Sequence, residues 1–200
     1  MLKICLLVTN FPHATVVDMK TLLWTLFLSL SLEAKVKTET ATLAGGCFWG
    51  MEEIIREIPG VLKTEVGYTG GSTKNATYLE VKTGRSGHAE AIQVEFDPFR
   101  LSFEKLLEWF FRMHNPTTKN QQGNDIGSQY RSAIFFHSEA QKATAVTVID
   151  RVNKSGAWKA PVVTEVTAFD AWWSAEEYHQ DYLRKNPGGY TCHFVREVKF

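Results

Sequence analysis

The sequence TATLAGGCFWGMEEIIREIPG, residues 40–60, contains a complete transition from a β-strand to an α-helix. Its first five residues, Thr40–Ala44, are typical of a short strand, which Gly45 and Gly46 end. Apolar residues then recur at positions 48, 51, 54, 55 and 58, on one face of a helix that Pro59-Gly60 ends. The stretch therefore predicts a strand, a tight turn and a helix, with Cys47 at the junction.

The alternation of strands and helices continues along the rest of the chain. Four further strands are predicted, at Val61–Tyr68, Ala89–Phe96, Arg131–Phe136 and Val162–Phe169. Of these, Ala89–Phe96 has the alternating pattern of a half-buried strand. Three further helices are predicted to begin after Ser102, Ser138 and Ser174 and to run towards Met113, Asn153 and Lys185. Short connections between them indicate one α/β layered domain, and the pattern alone leaves the strand directions open.

The composition excludes several classes of protein. The chain has 200 residues, with 22 Lys+Arg balanced by 22 Asp+Glu, whereas a nucleic-acid-binding protein normally carries a basic excess. A hydrophobic content of 44% is enough for a sizeable core, and three cysteines are too few for a disulfide scaffold. With zero net charge and no evident sticky helix, we expect a monomer that binds no nucleic acid.

Residues 1–38 differ from the rest and are predicted to be an N-terminal extension to a domain at 39–200. The segment Thr21–Leu32 is uncharged and apolar, and Met19-Lys20 precedes it. This order is typical of a signal peptide that begins at Met19 and is cleaved near Ala34. We therefore expect export, to a periplasm or the exterior. The alternatives are an uncleaved hydrophobic helix and a cytoplasmic protein.

Cys47 is the first candidate for chemistry. A helix N-terminus carries about half a positive charge, which predicts a lowered thiol pKa. The neighbouring Phe48 and Trp49 offer an apolar wall, so the hexapeptide GGCFWG (45–50) is consistent with a nucleophile beside a small hydrophobic pocket. The alternative is a buried cysteine that serves only as a small hydrophobe among core aromatics.

Further motifs identify the chain as resembling the A-type peptide methionine sulfoxide reductases. They are GCFWG (46–50), GYTGG (67–71), GHAEA (87–91), GNDIGSQYRS (123–132), YHQDYL (178–183) and NPGGYTCH (186–193). The resemblance extends from Thr42 to His193, and so many motifs in register make it specific. Our expectation for the fold is α/β, an α+β two-layer sandwich in which helices pack on a mixed sheet with a ferredoxin-like core.

The resemblance implies a role for each site residue. Cys47 resembles the nucleophile that attacks the sulfoxide sulfur, and Glu90 the acid that protonates or hydrogen-bonds the sulfoxide oxygen; that role requires burial to raise the carboxyl pKa. The remaining residues resemble parts of the substrate pocket. They are Phe48 and Trp49 around the methyl group, Tyr78 and Tyr130 at the oxygen, and Asp125 near water or the substrate backbone.

The resemblance also implies a catalytic cycle. Members of the family reduce the S epimer of methionine sulfoxide, free or in proteins, and leave the nucleophile as a sulfenic acid. Cys192 would condense with Cys47 to form a disulfide, which a thioredoxin-type dithiol reduces. No metal or organic cofactor is implied, and the six histidines show no ligand spacing. Family members often have proline where Ala76 stands, which makes the placement of Tyr78 less certain.

Two rival interpretations stay open. One is a secreted, non-catalytic domain stapled by a Cys47–Cys192 disulfide. The other is a hydrolase with a Cys47–His88 pair, which is disfavoured because no third residue is evident to orient the histidine. His179 is expected to be a structural histidine on a helix face.

Overall fold

A six-stranded sheet organises residues 37–200, the part of the chain that the computed structural model describes. Its strands are β1 (Glu39–Gly45), β2 (Val61–Thr69), β3 (Ala89–Phe96), β6 (Ser132–Phe136), β7 (Glu165–Ala168) and β8 (Trp173–Ser174). They lie in the order β7-β6-β1-β3-β2-β8, and β6 and β7 are the parallel neighbours in an otherwise antiparallel sheet. A separate ribbon pairs β4 (Gln121–Gln122) with β5 (Asp125–Ile126).

Two of the helices in residues 37–200 begin directly after serines that the sequence predicts as N-caps. The helices in this range are α1 (Phe48–Ile55), α2 (Tyr78–Val81), α3 (Phe103–Met113), α4 (Glu139–Ser155) and α5 (Tyr182–Lys185). Ser102 and Ser138 accept hydrogen bonds from the amides three residues later, both at 3.2 Å, which confirms them as N-caps. Gly156 ends α4 with φ 68°, a left-handed conformation that glycine adopts without strain.

The core lies between the sheet and the helices α1, α3 and α4. Ile92 and Val94 of β3 are fully buried there, with Met51 of α1 and Phe110 of α3. The other sheet face presents small side chains, covered by Phe135, Phe169 and Trp172. Helices on a mixed sheet confirm the predicted α/β fold. The half-buried interpretation of β3 is wrong for its first four residues, which are buried on both faces because Phe169 and Trp172 cover the face opposite the helices.

Three predicted boundaries differ in the structure. The helix α1 ends at Ile55, although Ile58 is still buried in the core. Of the strand predicted at 162–169, only Glu165–Ala168 pairs with the sheet. The helix predicted from Ser174 is wrong: Ser174 pairs with Gly67 as an edge strand, and only the short α5 follows.

Backbone hydrogen bonding explains why no long helix forms after Ser174. The Gln180 side chain accepts from the Val66 amide at 2.9 Å and donates to the Val66 carbonyl at 2.8 Å. These bonds hold Gln180 against β2, and residues 177–181 form turns instead of a continuous helix. The predicted N-terminal extension and its cleavage site lie almost wholly outside the described residues. Within residues 37–200, every helix is too short or too polar to cross a membrane.

Candidate active site

Cys47 occupies the N-cap position of α1, directly after the end of β1. The preceding Gly46 has φ 106°, and a Cβ there would lie 2.6 Å from the Gln122 side chain. Glycine is therefore required for the turn that delivers Cys47, in agreement with the tight turn predicted from the sequence. Cys47 itself is 7% exposed, so its thiol sits at the floor of a recess rather than on the surface.

The expected lowering of the Cys47 pKa is wrong. Burial raises the pKa of this thiol well above its ordinary value, and the neighbouring Glu90 raises it further. The backbone amide of Trp49 at the helix start opposes the shift but does not overcome it. The thiol therefore rests in its protonated, neutral form.

Glu90 lies on the face of β3 that faces α1. Its side chain is 2% exposed, and its Oε2 accepts a hydrogen bond from the Phe48 amide at 3.2 Å. Burial raises the pKa of Glu90 to about 8, and that hydrogen bond only partly offsets it. The predicted burial and raised pKa of Glu90 are confirmed, and a neutral carboxylic acid stands beside Cys47.

Two phenols face the same space. Tyr78 begins α2, where its amide donates to Glu176 Oε1 at 2.9 Å, and Tyr130 ends the short 3-10 turn Ser128–Tyr130. Burial raises the pKa of both phenols, and the nearby Glu90 and Cys47 raise each further. Both therefore stay protonated hydrogen-bond donors beside the thiol and the acid, and Ala76 does not prevent Tyr78 from reaching the site.

Aromatic side chains form one wall of the recess. The Trp49 indole stacks on the Tyr182 ring with centroids 3.7 Å apart and planes 11° apart. Its Nε1 donates to His179 Nδ1 at 3.1 Å, and His179 also contacts the Phe48 and Tyr78 rings, with centroids 5.2 and 4.6 Å away. Phe48 and Trp49 thus both contact the His179 ring, and the methyl pocket expected around them stays a prediction.

His179 is a residue whose position the sequence interpretation missed. It lies outside any helix, is 2% exposed, and burial lowers its pKa, so the ring is neutral and can accept the Trp49 hydrogen bond. The adjoining Asp181 anchors this segment to α1, because its amide donates to Glu52 Oε2 at 2.9 Å and its carboxylate pairs with Arg56. The sequence signal that could have pointed to His179 was the YHQDYL motif (178–183) that contains it.

Asp125 and Cys192 meet on the opposite side of the recess. Burial raises the pKa of Cys192 to about 12, with Asp125 as the next cause and the Cys47 amide acting against it. Asp125 also accepts a hydrogen bond from the Tyr190 phenol at 3.0 Å, a residue that the sequence interpretation did not select. The structure thus brings all the predicted site residues together around Cys47.

Glycines make room for the segment that carries Cys192. A Cβ on Gly50 would lie 2.2 Å from Thr191 Oγ1 and 2.7 Å from His193 Nδ1. A Cβ on Gly123 would lie 3.2 Å from the Cys192 Cβ. Cys47 and Cys192 are both free thiols, which gives no support to a structural staple.

His88 is engaged elsewhere. Its Nδ1 accepts from the Gly71 amide at 3.1 Å, and its Nε2 lies 2.7 Å from the Thr73 carbonyl oxygen. Both ring nitrogens therefore hold the loop after β2, and neither is free to pair with Cys47 as the hydrolase interpretation requires.

A protonated thiol beside a buried acid and two phenols is the kind of arrangement that an enzyme with a cysteine nucleophile uses. The family model for peptide methionine sulfoxide reductase matches residues 39–200. The reductase MsrA 1 of Mesorhizobium japonicum is 57% identical over 159 residues, 80% of this chain and 90% of that protein. The chain belongs to the A-type peptide methionine sulfoxide reductases, which are oxidoreductases that act on sulfur groups.

Solved structures agree with this assignment. Mxr1 from Saccharomyces cerevisiae in reduced form matches with a TM-score of 0.77 and 36% identity, over 82% of this chain and 94% of that one. Mxr1 in complex with Trx2 matches with a TM-score of 0.56 and 24% identity, over 82% and 93%, and shares the fold.

Proposed function

We propose that this enzyme reduces the S epimer of methionine sulfoxide to methionine, both in oxidised proteins and as the free amino acid. One observation carries the proposal: the Glu90 carboxyl, neutral below about pH 8, accepts a hydrogen bond from the first amide of the helix that begins at Cys47. A proton donor beside a nucleophilic sulfur supplies both groups that removal of a sulfoxide oxygen needs. Repair of oxidised proteins is the resulting biological role.

In the first half of the reaction, the Cys47 sulfur attacks the sulfoxide sulfur while Glu90 donates a proton to the sulfoxide oxygen. Tyr78 and Tyr130 donate hydrogen bonds to the same oxygen as it gains negative charge. The S–O bond of the substrate then breaks, the oxygen passes to the Cys47 sulfur as the hydroxyl group of a sulfenic acid, and the bond between the two sulfurs breaks as methionine departs. The thiol proton restores Glu90, and the substrate sulfur gains the two electrons that Cys47 loses.

The asymmetry of the recess supports discrimination between epimers. The methyl group is held against Phe48 and Trp49, the oxygen against Glu90 and the phenols, and the sulfur against Cys47. Three fixed positions around one sulfur leave a single direction for the rest of the substrate, so only one epimer fits. The family resemblance assigns that epimer as S.

In the second half, Cys192 attacks the sulfenic sulfur and releases water, leaving a Cys47–Cys192 disulfide. The influence of the Cys47 amide on the Cys192 thiol supports this pairing. We propose that a thioredoxin-type dithiol then reduces the disulfide by exchange. The complex of Mxr1 with Trx2 supports a recycling partner of this kind.

We further propose that the enzyme is an exported monomer. The uncharged segment Thr21–Leu32 supports export, and the cytoplasmic alternative predicts an intact N-terminus. N-terminal sequencing of the native protein distinguishes the two, and sedimentation equilibrium measures the oligomeric state. Export would require a thioredoxin-like donor outside the cytoplasm.

Turnover of the two separated epimers, with dithiothreitol as reductant, tests the reaction directly. We expect wild type to reduce only the S epimer and Cys47→Ser to reduce neither. Cys192→Ser is the matched control, because it should still release one equivalent of methionine in a single turnover. A folded, reduced wild-type protein that consumes neither epimer, or consumes the R epimer, would contradict the proposal.

A further inference from the structure

The ring of His193 is buried between the chain segments that carry Cys47 and Cys192. It is 6% exposed, and its Nε2 lies 2.8 Å from the carbonyl oxygen of Gly45, two residues before Cys47. Its Nδ1 lies 3.4 Å from the Sγ of Cys192. One imidazole therefore connects the backbone at the nucleophile to the sulfur of the second thiol.

The two contacts fix the tautomer of His193. A carbonyl oxygen can only accept, so Nε2 must carry the hydrogen that bonds to Gly45. Burial lowers the pKa of His193 to about 4, which keeps the ring neutral and leaves the Nδ1 lone pair facing Cys192. The thiol is then the donor and the imidazole the acceptor.

The surroundings hold this ring in place. The side chain of Gln122 also donates to the Gly45 oxygen, at 3.3 Å, and the His193 amide donates to Thr191 Oγ1 at 3.1 Å. The ionisable groups that face His193 besides Cys192 are few, and each lies on a different element. They are Asp125 on β5, His114 at the end of α3, and Arg196 further along the C-terminal segment.

We propose that His193 is the general base that accepts the Cys192 proton when Cys192 attacks the Cys47 sulfenic acid. The step rests on the proposed function and balances. The Cys192 sulfur forms the S–S bond, the S–O bond of Cys47 breaks, and the proton passes through Nδ1 to the departing hydroxide, which leaves as water. The Cys192 sulfur is oxidised by as much as the sulfenic sulfur is reduced, so the step needs no external oxidant or reductant.

A weakly basic imidazole is sufficient for this role. The Cys192 thiol has a pKa near 12 at rest, but its proton becomes strongly acidic as the sulfur donates electrons to the new bond. Transfer to a neighbouring lone pair is then favourable during the attack. With this base, the rate of attack does not depend on the very small fraction of Cys192 that is thiolate at neutral pH.

Asp125 is the competing acceptor, because its carboxylate also accepts a hydrogen bond from the Cys192 thiol and raises the pKa of that thiol. The Asp125 carboxylate accepts from the Tyr190 phenol at 3.0 Å but keeps lone pairs for a second donor. Nδ1 of His193 lies 3.4 Å from the Cys192 sulfur, and this contact is the reason to assign the proton to His193 and to test Asp125 as its rival.

The test is a quenched single turnover of the reduced enzyme between pH 5.5 and 8.5, in which methionine and remaining thiols are counted separately. His193→Gln keeps a donor for the Gly45 oxygen and removes the Nδ1 acceptor. His88→Gln is the matched control, a buried histidine that binds the loop after β2. Asp125→Asn tests the competing acceptor.

We expect methionine release to be nearly unchanged in His193→Gln, which also reports an intact Cys47 site. Its disulfide formation should be slower by about 100-fold at pH 6 and should rise about tenfold per pH unit, while wild type and His88→Gln stay nearly flat. An unchanged rate, a slower rate with an unchanged pH profile, or the steep profile in Asp125→Asn instead would each overturn the assignment. Absence of methionine in wild type would count against the proposed function instead.

Discussion

The two thiols of the site are held in place in different ways. Cys47 lies between a central strand and a helix, where the backbone hydrogen bonds of both elements fix it. Cys192 lies in a segment without helix or strand, fixed by the His193 ring on the Gly45 carbonyl and by glycines that accommodate it. On the proposed function, the sulfoxide-reduction step therefore depends on the core, and the disulfide-forming step depends on a docked segment.

The largest effect on activity is expected at Glu90, which belongs to the core half of the site, the part around Cys47. Glu90→Gln removes the proton donor while keeping the shape, so we expect methionine formation to fall roughly 10²–10³-fold. Wild-type methionine formation should decline as pH rises through about 8, where Glu90 loses its proton, and the variant should show no such decline. Single-turnover methionine release between pH 6 and 10 measures both. An equal decline in the two proteins would remove Glu90 from the first step.

Glu90 also links the core half to stability. Its pKa in the folded protein, about 8, lies above the ordinary glutamate value of 4.5, so its contribution to stability is fully present below about pH 4.5 and is lost as pH rises through 8. The slope is about 1.4 kcal/mol per pH unit in this window. Urea unfolding at pH 5, 7 and 9 should show Glu90→Gln gaining stability relative to wild type as pH rises. A constant difference would contradict the assigned pKa.

Gly50 gives an intermediate effect, confined to the other half. Gly50→Ala places a methyl group against Thr191 and His193, so the segment around Cys192 must shift. We expect disulfide formation to slow roughly tenfold, equivalent to about 1.4 kcal/mol of overpacking, with methionine release nearly unchanged. Gly156→Ala is the control, since its Cβ would meet no atom within 4 Å. Equal slowing of both steps would show that the two halves are not separable.

Tyr182 should give the smallest effect, on substrate binding in the core half. Tyr182→Leu removes the ring that stacks on Trp49 but leaves an apolar side chain. Such stacking is worth about 0.5–1.5 kcal/mol, so we expect KM for the sulfoxide to rise about two- to tenfold while the rate of disulfide formation stays unchanged. Steady-state kinetics and a thiol count measure the two quantities. If Tyr182→Leu slowed only disulfide formation, Tyr182 would act in the segment around Cys192 and not in substrate binding, which would contradict the prediction.

The same contrast explains what the sequence predicts. The β1–α1 junction follows from periodicity and glycines within twenty residues, and the caps Ser102 and Ser138 follow from spacing. The segment after Ser174 was misassigned because its conformation depends on Gln180 bonding to Val66, 114 positions away. Local patterns contain no information about such distant partners.

The site itself shows the same limit. The predicted site residues came from the family resemblance, and the structure brings all of them together around Cys47. His179 and Tyr190, by contrast, are identified only by their tertiary contacts. The Cys47 pKa was predicted in the wrong direction because the helix N-terminus is visible in the sequence, whereas the extent of burial is not.

The hydrogen bond between His193 and Gly45 joins residues 148 positions apart. Chains are synthesised from the N-terminus, so the ribosome exposes Cys47 long before the segment around Cys192 exists. Contacts of such high sequence separation also form late in folding, because closing a long loop is entropically costly. On the proposed cycle, a nascent chain oxidised at Cys47 consequently lacks Cys192 as its resolving thiol until that segment is made and has docked.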